Sequence, residues 1–284
     1  MRILNRIATI AFLLVVVLFG IFFFRTRMND RIPPVISMDE DELNISVKDS
    51  EEDLLKDVTA SDNKDGDLTD RIILENLSNF TEPGQRVATY AVFDSSGNIA
   101  RATRIIKYKD YVPPRFEITS PMILPTSAIS GTSSSDYIAN VKATDCLDGD
   151  VSHNVKGLKV GEIQEEHYGT TALADLQVFN SAGDVTKISF PVVFQTSNTP
   201  QITLKDYIVY LKKGAKFEPE SYITGATVGK EEYDREEYES RYQTTVSYNS
   251  KVDVNTPGVY TVSYVGAYKN RDPSMTCMVV IVED

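Results

Sequence analysis

Thr59-Ala60-Ser61-Asp62-Asn63-Lys64-Asp65-Gly66-Asp67-Leu68-Thr69 returns 83 residues later as Lys142-Ala143-Thr144-Asp145-Cys146-Leu147-Asp148-Gly149-Asp150-Val151-Ser152. A second pair of turns keeps nearly the same offset: Phe93-Asp94-Ser95-Ser96-Gly97-Asn98 and, 86 residues on, Phe179-Asn180-Ser181-Ala182-Gly183-Asp184. Two landmarks at one spacing mark a duplicated module, and the period is that of a small domain rather than of a solenoid repeat.

Outward from the repeat, proline pairs set the boundaries. Pro33-Pro34 and Pro113-Pro114 each precede an apolar start, and Thr199-Pro200 precedes a third. Proline holds itself and its predecessor extended, so these read as stiff joints. The predicted organisation is an amino-terminal segment over 1–31 and modules over 33–111, 113–196 and 198–284. Late in each module a strand alternates buried and exposed positions. Pro257-Gly258-Val259-Tyr260-Thr261-Val262-Ser263-Tyr264 is the clearest example. The same register turns Ala88, Tyr90 and Val92 inward in the first module, and Ala174, Leu176 and Val178 in the second. Glycine-bearing turns at Gly97 and Gly183 then send the chain back as a hairpin. Short strands, many turns and little helical periodicity predict an all-β chain: three tandem antiparallel β-sandwich modules.

The third module departs from the pattern. Where the others carry the Asp-rich turn it has Lys230 to Tyr242, rich in helix formers. A short exposed helix is expected there, with pairs Glu231–Arg235 and Glu237–Arg241. Tyr233, Tyr238 and Tyr242 beside these charges suggest, as an alternative, a partner-binding edge.

Ile7 to Phe24 is an 18-residue run, apolar except for Thr9, between Arg6 and Arg25. As a helix it is about 27 Å long, near the lower limit for crossing a bilayer. The run exceeds the apolar core of a cleaved signal peptide, and no small-residue cleavage pattern follows it. A single-span uncleaved anchor is therefore expected. Basic residues flank both ends and do not choose an orientation.

Residues 32–284 hold 24 basic against 40 acidic side chains, a net charge of −16. Such a surface repels polyanions, which argues against nucleic acid binding and against a basic lipid-binding patch. Cys146 and Cys277 fall in different modules, so no disulfide framework is expected. The sequons at Asn44, Asn76 and Asn79 matter only in a eukaryotic secretory route and are read as coincidental. His153 and His167 have no metal-ligand spacing, no Gly-x-Ser-x-Gly is present, and Gly225 to Lys230 is one residue short of a phosphate loop. No enzyme is expected.

The pattern A-x-D-x-x-D-G-D, then P-G and an alternating strand, then D-x-x-G-N, resembles the bacterial immunoglobulin-like repeat family, found in tandem on surface proteins and also in certain pesticidal crystal proteins. Ala60, Asp62, Asp65, Gly66, Asp67, Pro83, Gly84, Tyr90, Asp94, Gly97 and Asn98 carry it in the first module. The second module keeps Ala143, Asp145, Asp148, Gly149, Asp150 and Gly183, but has Asn180 and Asp184 where the first has Asp94 and Asn98. The third keeps Gly214 to Phe217 and the strand ending at Tyr264. The resemblance implies Ig-like sandwiches, an extracytoplasmic setting, and a non-enzymatic spacer or adhesion role. It implies no particular ligand.

With the anchor, the expectation is a single-pass cell-membrane protein with its bulk outside the cytoplasm. Its partners would be the membrane, other envelope proteins or surface glycans. The rival is an accessory subunit of a secretion or pilus-like assembly; an envelope hydrolase, a third class, needs a concave site with convergent titratable groups.

Two readings of the Asp-rich turn stand. Asp62, Asp65, Asp67 and Asp94, and in the copy Asp145, Asp148 and Asp150, offer the hard oxygens that calcium takes. The loop is not an EF-hand, because the twelfth position from Asp62 is Ile73 and no helices flank it. Alternatively the aspartates are structural: Asp62 accepts backbone N–H groups, and Asp65-Gly66 makes a tight turn.

Overall fold

In this computed structural model the described residues are 2–28, 30–131, 133–266 and 273–284; side chains at 2–6, 8, 24–28, 130, 134 and 135 fall outside the description. The chain is mostly strand and divides into two compact units, Met1–Asp110 and Tyr111–Asp284.

The first unit begins with α1 (Arg2–Met28), a single helix. Its described apolar side chains, Ile7 to Phe23, are about half exposed or more. Among the described residues no helix is long and apolar enough to cross a membrane. The anchor expected over Ile7 to Phe24 runs onto residues whose side chains are not described, and it is taken up below as a proposal.

Two sheets follow. One has the order β1 (Val35–Met38), β3 (Val58–Asp62), β4 (Gly66–Asp67); the other runs β2 (Glu42–Ile45), β7 (Ile99–Tyr108), β6 (Gln85–Phe93), β5 (Ile73–Leu77), with β2 parallel to β7. Val58 and Ala60 from the first sheet meet Ile45, Ala88, Tyr90, Val92 and Ile106 from the second in one apolar core. Period-two alternation is the cause: the inward set of β6 is fully buried, and a slip of one residue would turn it to solvent.

The second unit repeats this strand order twice. Its first half has β8 (Arg115–Ile118), β10 (Val141–Asp145) and β11 (Gly149–Asp150) in one sheet. The other sheet orders β9 (Ile123–Pro125), β15 (Val185–Gln195), β14 (Gly169–Phe179) and β12 (Lys156–Val160), with β13 (Gln164–Glu166) also on β14. A one-turn helix α2 (Ser134–Ile138) precedes β10. The second half has β16 (Gln201–Leu204), β18 (Ile223–Val228) and β19 (Glu231–Asp234) against β17 (Ile208–Lys212), β22 (Ser274–Glu283), β21 (Gly258–Gly266) and β20 (Val246–Ser250). In each half the second strand again runs parallel to the last.

Pro200 does not separate two independent bodies. Residues of both halves belong to one apolar core, including Phe116, Leu176 and Phe190 with Ile202, Tyr264 and Met278. At the joint the Phe116 N–H donates to the Tyr210 hydroxyl at 2.9 Å, and the Tyr207 N–H donates to the Ile118 carbonyl at 3.3 Å. Arg115 lies over the Tyr210 ring and pairs with Glu283 at 2.5 Å. Side chains that sequence reading assigned to separate modules therefore weld them.

The Lys230–Tyr242 stretch is part strand. Glu231–Asp234 form β19, which pairs with β18 as β4 pairs with β3. Gly225 lies opposite Asp234, where a Cβ would meet the Tyr233 carbonyl oxygen at 2.0 Å; strand approach, not a phosphate, requires that glycine. The helix α3 (Arg235–Tyr242) is capped by Asp234, whose carboxylate accepts the Glu237 N–H at 2.8 Å. Arg235 pairs with Glu239 and Glu220 rather than with Glu231, which instead accepts the Tyr233 hydroxyl. Tyr233 and Tyr238 are buried and Arg241 lies over the Tyr233 ring, so this face is core and not an exposed tyrosine edge.

Candidate metal centre

The Asp-rich turns are built alike in both copies. Asp62 Oδ1 accepts the Lys64 and Asp65 N–H groups, each at 2.9 Å; Asp145 Oδ1 accepts those of Leu147 and Asp148 at 2.9 and 3.1 Å. Gly66 and Gly149 follow with φ of 76° and 72°, a left-handed conformation that a side chain resists although nothing crowds the site.

Asp65 turns to the neighbouring hairpin, accepting the Ser95 N–H at 2.5 Å and its hydroxyl at 2.8 Å. Asp148 takes Ser181 in the same way at 2.5 and 2.7 Å. Asp67 accepts the Thr69 N–H, and Asp150 that of Ser152. The N–H and hydroxyl of Ser95 hold Asp65, and the hydroxyls and N–H groups of Thr69 and Ser152 hold Asp67 and Asp150, below the ordinary carboxylate range. The motif A-x-D-x-x-D-G-D thus folds its own turn and also ties it to the neighbouring hairpin, a tie that the sequence did not suggest.

A different set converges. Asp30, just before Pro33, brings a carboxylate oxygen to within 4.8 Å of oxygens from Asp62 and Asp94. Among the described residues this is the group of three acidic side chains that meets; Asp65 and Asp67 stand outside it, and Asp145, Asp148 and Asp150 form none. Sequence reading missed Asp30 because it precedes the module boundary and belongs to no motif. Neither histidine joins such a group.

Asp94 is the most enclosed of the three, with 7% of its surface exposed. Burial pushes its pKa up, but bonds from Asn98, Ser96 and Gly97 outweigh this and leave it lowered. The Asn98 amide donates to Asp94 Oδ2 at 2.6 Å and to the Asp30 carbonyl at 3.1 Å, tying the hairpin to the segment after α1. Asp30 Oδ1 accepts the Ile32 N–H at 3.0 Å. Asp30 Oδ2 and Asp62 Oδ2 are buried and receive no hydrogen bond from the described residues.

The second copy closes the same place without charge convergence. Asn180, where the first copy has Asp94, donates its amide to Asp145 Oδ2 at 3.2 Å and to the Tyr111 hydroxyl at 3.0 Å. Tyr111 in turn donates to Asp184 Oδ2 at 2.5 Å, and burial beside that carboxylate raises the phenol pKa.

No known protein family and no curated protein matches this chain. Solved structures with similarity include a Clostridium perfringens ZmpB fragment joining its catalytic domain to two CBM51 domains, 15% identical over 90% of this chain and 31% of that one, TM-score 0.22. The Protocadherin GammaB4 extracellular domain is 14% identical over 89% of this chain and 50% of that one, TM-score 0.19. A lipoprotein from Bacteroides thetaiotaomicron is 10% identical over 87% of this chain and 98% of that one, TM-score 0.19. The chain spans about a third to a half of the first two.

Proposed function

We propose that this protein is a non-enzymatic binding or spacer component of a bacterial cell envelope, held by α1 as a single-span anchor, with three Ig-like modules outside the cytoplasm. The observation that carries the reading is one strand order used three times behind an apolar helix whose described side chains face no core. The acidic surface after residue 32 suits a soluble exterior and disfavours polyanionic ligands. Other envelope proteins or surface glycans are its partners in this reading.

The test is localisation. In cells carrying the full chain, the protein is expected in the membrane fraction, with residues after 32 digested by protease added from outside. Recovery in the soluble fraction, or digestion only after lysis, would overturn it.

A second reading, docking within a multiprotein envelope assembly, is favoured by the exposed apolar side chains Leu158, Ile163, Tyr168 and Leu173 on and beside β12–β14. Crosslinking from these positions in intact cells separates the two: defined protein neighbours support assembly, whereas binding of purified chain to envelope glycans supports adhesion.

A further inference from the structure

We propose that Asp30, Asp62 and Asp94 hold one calcium ion, and that this ion fastens the segment leaving α1 to the first sandwich. A single ion can reach all three: calcium sits about 2.4 Å from its oxygens, so two ligands on opposite sides lie about 4.8 Å apart, the span within which these three oxygens fall. All three donors are hard carboxylate oxygens, and among the described residues no imidazole or thiolate joins them, which selects calcium or magnesium over zinc.

Asp30 Oδ2 and Asp62 Oδ2 are shut off from solvent and take no hydrogen bond from the described residues. Buried carboxylate oxygens are stable when something positive or protic faces them. The duplicated module then serves as an internal control. There Asp145 Oδ2, equivalent to the unpartnered Asp62 Oδ2, receives the amide of Asn180. In the first copy that amide is replaced by the Asp94 carboxylate, and Asp30 supplies another acid rather than a donor. One place in the fold is closed by hydrogen bonds in one copy, and in the other is lined by three carboxylates whose charge calls for a cation.

The three ligands are distant in sequence. Asp30 lies between α1 and β1, Asp62 ends β3, and Asp94 follows β6. An ion on all three ties the exit of α1 to both sheets of the unit, beside the Asn98 amide that already holds the Asp30 carbonyl.

The experiment is calorimetric titration of the full-length protein in detergent, stripped with EDTA, with calcium and separately with magnesium, up to about 10 mM because calcium sites of extracellular modules bind in the 10⁻⁴–10⁻³ M range. One calcium per chain is expected. Asp30→Asn, Asp62→Asn and Asp94→Asn should each weaken it about tenfold or more, while Asp148→Asn leaves it unchanged. Asp94→Asn installs the residue the second copy carries and is expected to keep the fold, checked by circular dichroism. Calcium should also slow tryptic cleavage after Arg31, and this protection should be lost in Asp94→Asn. Absence of calcium binding overturns the proposal, as does tighter binding of magnesium. Binding that survives Asp30→Asn overturns it too, and would place calcium on the Asp-rich turn alone.

Discussion

Tyr90 and Tyr264 occupy matching positions in β6 and β21, and both are fully buried with the hydroxyl satisfied by a backbone carbonyl: Tyr90 on Leu54 at 2.6 Å, Tyr264 on Pro219 at 2.9 Å. Each phenol fixes the connection that crosses its end of the sandwich. Tyr90→Phe leaves the Leu54 carbonyl without its partner and should cost about 1–2 kcal/mol, read as a lower midpoint in urea; an unchanged midpoint would show that water replaces the hydroxyl freely. The cysteines differ by environment. Cys277 is buried, and burial raises its thiol pKa to about 12, whereas Cys146 is exposed. Iodoacetamide at pH 8 should therefore add one group to the native chain, on Cys146, and two after guanidinium unfolding, counted by mass spectrometry. Acid sensitivity follows from Asp53 and Asp110, held below the ordinary range by the Ser50 hydroxyl and N–H and by the Ser46 hydroxyl and Val47 N–H respectively. Unfolded, these carboxylates bind protons at higher pH than folded, so their contribution is complete above about pH 4 and is lost as pH falls through the lowered values. Circular dichroism should show the first unit losing stability below about pH 4, and a flat profile down to pH 2 would contradict this.

Among the elements, α3 shows how far local pattern reaches. Its helix formers are plain in the sequence but its start is not: the stretch read as helical from Lys230 pairs as β19 up to Asp234, which caps the helix, and Asp234→Ala should cost about 1 kcal/mol in chemical denaturation through loss of the bond to the Glu237 N–H. Its charge partners were not legible. Arg235 reaches Glu220, fifteen residues earlier, because β18 and β19 bring that turn alongside the helix. The tyrosines were misjudged for a related reason: spacing beside charges suggests exposure, but Tyr238 is fully buried in the core of the second unit. The late strands were read correctly. Ala88, Tyr90 and Val92, like Ala174, Leu176 and Val178, are fully buried, since alternation is a property of the strand itself.

At the scale of the whole molecule, the chain divides into compact units after Asp110, and Pro200 lies inside the second of them. Chain 111–284 should therefore melt in one transition, and removing 198–284 should lower the melting temperature of what remains by uncovering Phe116 and Ile118. Differential scanning calorimetry of the two fragments checks this; equal melting temperatures would mean that the shared core contributes little. Arg115, Tyr210 and Glu283 meet at this joint from positions up to 168 residues apart, a separation no local pattern records.

The duplicated turns, the inward face of each late strand and the acidic exterior were written in the sequence, because they depend on residue type, spacing of two along a strand, and summed charge. Folding decided the rest. It turned Asp65 toward the backbone and hydroxyl of the Ser95 turn, carried Asp30 in from outside the repeat to meet Asp62 and Asp94, and joined the two halves of the second unit through one core. Each of these depends on contacts between residues far apart along the chain, whose distances are set only when the sheets pack.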